Sequence, residues 1–66
     1  MKNVTNKKGY ELDFEATVEF MDDEIRTELN EDMAPCTEQE FFTAYEAAHE
    51  EKYGEEWELS KEHPTW

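Results

Sequence analysis

The sequence predicts a mainly α fold, an antiparallel helical hairpin with short extended and aromatic flanks. Three observations predict it. Phe14, Val18, Met21, Ile25 and Leu29 recur at helical spacing, so they share one stripe of an α-helix. Phe41, Phe42, Tyr45, Ala48, His49 and Tyr53 form a second, broader helical face. Between them, Thr37-Glu38-Gln39-Glu40 has the spacing of a capping box, in which the N-cap hydroxyl and the N3 carboxylate each satisfy a backbone N–H.

The elements follow in chain order. Residues 1–8, "MKNVTNKK", are polar, hold three of the six bases and read as a flexible arm. A single domain is expected over residues 9–60, with a tail at 61–66. After Gly9, the apolar residues Tyr10, Leu12 and Phe14 alternate with acids, as in a short strand. Asp13 stands where it can cap a first helix running from Phe14 to Asn30. Pro35 disfavours helix at Ala34, so "EDMAPC" reads as the turn. The second helix runs from Glu38 to Tyr53, and Gly54 is placed for the left-handed residue beyond its end.

The segment "EEWELS" carries Trp57 and Leu59 on one side and reads as extended. It can pair with "YELDF" as a two-stranded ribbon or cover the helix ends. "KEHPTW" closes the chain with Trp66. Two helices alone bury little surface. Either the flanks complete the core, or two copies share it as a four-helix homodimer.

Sixty-six residues allow one small domain. Only 36% of them are hydrophobic, yet aromatics make up 14%, so the core is expected to be built on rings. Cys36 has no second cysteine to pair with and suggests a reducing compartment. No apolar run suits a secretion signal or a membrane span, and the expected location is cytoplasmic. The net charge of −13 should repel nucleic acid and anionic membrane and attract basic protein surfaces. It exceeds the magnitude of about 2–8 that solubility requires of a small domain.

Catalytic and metal chemistry find little support. Cys36, His49 and His63 lack paired-Cys, His-x-x-x-His and calcium-loop spacings, so no metal and no cofactor is expected. His49 falls at the centre of the second apolar face and reads as a packed histidine with one hydrogen bond. Cys36 precedes a helix N-terminus, where a thiol can become acidic. A Cys36–His49 pair would nevertheless lack an orienting third group, and a cysteine buried under the turn is the expected role. With only Gly9 and Gly54 there is no phosphate-binding loop. The chain reads as a binding protein and not an enzyme.

Its acids carry the functional reading. "VEFMDDEIRTELNED" sets a run of carboxylates against Arg26 alone. Glu15, Glu19, Asp22 and Asp23 gather on the flank and back of the first helix, and Glu46 and Glu50 on one flank of the second. Carboxylates four residues apart rise about 6 Å, a separation comparable with that of phosphates along a strand. Like charges at this spacing cost a few tenths of a kcal/mol per pair. A merely solvated face would intersperse Lys and Arg. Phe20 lies off the apolar stripe among these acids, as an interface anchor does, unless it packs under Trp57, Trp66 or a second copy. Glu15, Glu19, Asp22, Asp23, Glu46, Glu50 and Phe20 are therefore the expected partner-binding residues. The expected partner is the basic groove of a nucleic-acid-binding protein. The competing reading is a module that pairs through its apolar helix faces, its acids serving only solubility and the exclusion of wrong partners.

The chain, above all "APCTEQEFFTAYEAAHEEKYGEEWELSKEHPTW", resembles small acidic proteins of Firmicutes conjugative elements and prophages. In size and charge it is similar to anti-CRISPR and antirestriction proteins that mimic nucleic acid. That likeness is one of composition. It implies an inhibitor or decoy and assigns a role to no residue.

Overall fold

The chain opens with a β-hairpin in which Asn3–Thr5 (β1) and Glu11–Asp13 (β2) pair antiparallel, with Val4 opposite Leu12. Successive strand side chains point to opposite faces, so Val4 and Leu12 enter the core while Asn3, Thr5 and Glu11 face solvent. These relations come from a computed structural model that describes residues 2–33 and 36–64. Pro35 and Trp66, both singled out in the sequence, lie outside the described residues.

Three helices follow: Phe14–Glu19 (α1), Asp23–Met33 (α2) and Glu38–Tyr53 (α3). A 3-10 turn, Glu58–Ser60, closes the described chain. Lys52 near the end of α3 reaches Asp22 and Glu24 at the start of α2, as antiparallel helices require. The molecule is a mainly helical hairpin with a two-stranded antiparallel sheet. It is flat, 30 × 30 × 17 Å. The core joins every layer: Val4 and Leu12, Met21 and Ile25, Phe41, Phe42 and Tyr45, and Trp57 and Leu59. The flanks thus complete the core, and Trp57 lies 4.3 Å from Tyr45 and 5.4 Å from Phe42, ring centre to ring centre.

Four local expectations change. The stretch read as a polar arm contains β1, because Val4 docks in the core and Asn6 ties the following turn to the C-terminal segment. β2 pairs with β1 and not with "EEWELS", whose Leu59 and Ser60 instead belong to the 3-10 turn. Trp57 and Leu59 are nevertheless both buried, as their shared side predicts.

The first helix, expected as one rod over 14–30, breaks at residues 20–22. The Asp22 carboxylate accepts from the Ile25 N–H at 3.2 Å and so caps α2, while the Asp22 N–H donates to the Tyr45 hydroxyl at 2.6 Å. Phe20 and Met21 close the end of α1 with short-range bonds to Thr17 and Val18. A competing cap therefore outweighs continuous helix. Met21 and Ile25 remain buried across the break, with Phe14, Val18 and Leu29 packed against them. Asp13 occupies the α1 N-cap position, but its side chain makes no capping bond.

The second helix has the expected bounds. The Thr37 hydroxyl accepts from the Glu40 N–H, the Glu40 carboxylate accepts from the Thr37 N–H, and Gly54 ends the helix at φ +72°. Thr37→Ala should cost about 0.5–2 kcal/mol through loss of this cap. Thr43→Ala, at an exposed position whose hydroxyl accepts from the Gln39 amide, should cost less. Thermal melts that rank the two in reverse would contradict the capping account.

Candidate acidic interface

The acids divide by whether a base has folded back onto them. Lys7 pairs with Glu50 and reaches Glu56 at 3.8 Å, and Lys8 approaches Glu56 at 4.0 Å. Arg26 pairs with Asp23 at 3.0 Å, and Lys61 with Glu58 at 2.9 Å. Lys52 bridges Asp22 at 3.1 Å and Glu24 at 3.2 Å. By contrast Glu15, Glu19, Glu28, Glu31 and Asp32, all exposed on α1 and α2, make no ion pair among the described residues. Uncompensated charge thus remains on α1 and α2, as it does at Glu38, Glu40 and Glu51 on α3.

The expected interface residues separate by exposure. Glu15 and Glu19 are exposed one turn apart on α1. Phe20, 51% exposed, caps the C-terminal end of that helix, and Asp23 is exposed at the start of α2. These four share one corner of the molecule. Asp22, Glu46 and Glu50 are engaged by the fold. Glu46 is only 5% exposed, and its carboxylate accepts the Lys7 N–H at 3.1 Å. The β1–β2 turn covers it, a contact across 39 residues that helix periodicity could not reveal.

Asp22 is the hub of the corner. Besides capping α2, it accepts from Lys52 and from the Tyr53 hydroxyl at 2.9 Å. The Lys52 hydrogen bond, reinforced by Tyr53 and the Ile25 N–H, holds the Asp22 carboxyl below its ordinary 3.8. The same hydrogen bond raises Lys52 well above the usual lysine range. Because the folded value of Asp22 is depressed, its stabilisation is present above 3.8 and is lost as pH falls through the lower folded value. Asp22→Asn keeps a capping oxygen and removes the charge. It should melt below the parent at neutral pH, and the gap should narrow as pH falls below 3.8. A gap constant over that range would show that the charge contributes nothing.

The other candidate groups have structural roles or none that the geometry shows. His49 packs among Tyr45, Tyr53 and Trp57 with Nδ1 3.1 Å from the Glu55 carbonyl oxygen, the expected packed histidine. Cys36, expected under the turn, is exposed, because the core beside the α3 N-terminus is filled by Phe41 and Phe42. Among the described residues no group of three His, Cys, Asp or Glu is arranged to hold a metal ion. No helix there is long and apolar enough to cross a membrane.

A family model described as anti-CRISPR protein AcrIC5 matches residues 5–57, well over half of the chain. The chain belongs to the AcrIC5 family. The AcrIC5 match spans β2, all three helices and Trp57, and so contains the exposed corner and the hub that supports it. No curated protein and no solved structure matches the chain.

Proposed function

We propose that this chain is an inhibitor of a CRISPR effector that occupies a basic nucleic-acid groove through its exposed acidic corner. The observation that carries this reading is the unequal distribution of bases. They neutralise acids beside the hairpin turn, the α1–α2 junction and the C-terminal turn, and leave Glu15 and Glu19 unpaired beside the half-exposed Phe20. CRISPR effectors hold nucleic acid in positively charged channels, the complement of such a surface. Glu15, Glu19 and Asp23 would steer association, and Phe20 would anchor the docked complex. Asp22 holds the corner in shape, while Glu46 and Glu50 fasten the hairpin turn to α3. The protein acts in the cytoplasm, where those effectors meet invading DNA. It acts there by binding and not by catalysis.

The competing module would need free apolar helix faces. Here Ile25, Phe42 and Tyr45 are buried within the chain's own core. A homodimer would also bring together two chains of net charge −13. The reading therefore takes the monomer as the active form.

Competition with target DNA tests it. A reconstituted effector should bind its target duplex less well as the protein is added, and the inhibition should weaken steeply as salt rises. Inhibition that holds or strengthens with salt would contradict charge mimicry and favour apolar pairing.

A further inference from the structure

A second face of the molecule combines charge with apolar surface. The groove between α2 and α3 has a floor of Ile25, Leu29 and Ala48. Ile25 is buried, while Leu29 and Ala48 are half-buried at the edge of the core. Glu24, Glu28 and Asp32 line the α2 side at successive four-residue steps, and Glu51 and Lys52 line the α3 side. Lys52 pairs with Glu24 and with Asp22 outside the groove, and leaves Glu28, Asp32 and Glu51 without an ion pair among the described residues. In that pairing Lys52 lines the groove and sets its ammonium against a carboxylate at the rim.

The spacing narrows the choice of occupant. Side chains four residues apart on a helix rise about 6 Å, too far for one ion to bridge all three α2 carboxylates. Consistent with this, no metal cluster occurs among the described residues. Nucleic acid has the wrong sign. A second copy would bring the same carboxylates against their like. A helix with Arg or Lys at every fourth residue presents cations at the same 6 Å rise, and the stems of those side chains cover apolar surface.

We propose that the groove between α2 and α3 is a docking site for a basic amphipathic helix of a partner protein. Its Arg or Lys stems lie on Leu29 and Ala48, and their heads pair with Glu28, Asp32 and Glu51. The proposal rests on the reading that this chain acts by binding basic protein, and adds to it a distinct face and a partner of defined chemistry.

The test uses the full chain and a synthetic helical peptide of about 18 residues, long enough to hold helix, with three Arg spaced four apart and Leu on the adjoining stripe. A control peptide has the same composition with its Arg scattered around the helix. Titration followed by amide chemical shifts should give saturable binding, with the largest shifts at the facing residues of α2 and α3. Glu28→Gln with Asp32→Asn should weaken it about tenfold, while Glu15→Gln with Glu19→Gln, an equal change in charge, should weaken it less than about twofold. Equal losses from the two pairs, equal binding of the control peptide, or no saturable binding would each overturn the proposal. If the peptide fails while the chain still displaces DNA from the effector, the groove falls and charge mimicry stands. Selective peptide binding without DNA displacement would support the groove and remove the mimicry.

Discussion

Asn6→Ala should unfold most of the stability margin of this protein. Asn6 is a polar residue only 3% exposed, and every polar atom of its side chain is used. Its Oδ1 accepts from the Lys8 and Tyr10 N–H groups at 3.0 and 2.8 Å, shaping the β1–β2 turn. Its Nδ2 donates to the Leu59 and Lys61 carbonyls at 2.9 and 2.8 Å, tying that turn to the C-terminal 3-10 segment. Truncation leaves the buried Leu59 carbonyl without its partner and strips the part-buried Lys8, Tyr10 and Lys61 groups of theirs, and a buried orphan costs about 1–3 kcal/mol. A total of about 3–5 kcal/mol is a large part of what a small domain has, and it corresponds to a melting temperature lower by roughly 15 °C or more. Asn6→Asp should fare little better, because it keeps the acceptor but sets a carboxylate against two carbonyls. Asn3→Ala, at an exposed strand position, should stay within about 0.5 kcal/mol of the parent. If Asn6→Ala melts within a few degrees of the parent, the clamp between hairpin and 3-10 turn does not hold the fold.

Asn6 also shows where sequence reading reached its limit. Helix periodicity and the capping box are local signals, and they located α3 from Glu38 to Tyr53. They also identified the apolar stripe whose Met21 and Ile25 are buried. What they could not reveal depends on contacts across the chain. An isolated polar "NVTN" looks like an arm until Leu59 and Lys61, more than 50 residues later, supply carbonyls to Asn6. The break before α2 had a local cue in Asp22, a residue suited to helix caps, but the Tyr45 hydroxyl that completes it comes from α3. The acidic site follows the same division. Glu15, Glu19 and Asp23 are exposed as helix geometry predicts, whereas Glu46 is hidden by the hairpin turn and Asp22 is held by Lys52 and Tyr53. Composition disclosed an excess of acid. Burial under the hairpin turn and the hydrogen bonds of the fold determine which acids remain available.

Replacing Glu15, Glu19 and Asp23 together by Lys should abolish inhibition while leaving the protein folded. All three side chains are exposed and none belongs to the core, so the melt should shift far less than for Asn6→Ala. Each reversal removes one negative charge and adds one positive, and the change falls on the corner where they act. Steering by complementary fields raises association rates by about 10- to 1,000-fold, and the triple variant should lose most of that factor. Asp22, originally expected among the surface charges, must be left out. Its reversal would set a cation beside Lys52 and remove the α2 cap, so loss of activity would report only a damaged corner. Phe20→Ala separates anchoring from steering. An anchor lost from a docked interface costs about 2 kcal/mol or more and appears in the dissociation rate, with association little changed. Surface-bound effector and soluble variants in a kinetic binding assay resolve the two rates. A triple-Lys protein that is folded and still inhibits with the parent's potency and salt slope would refute the acidic corner as the site of action.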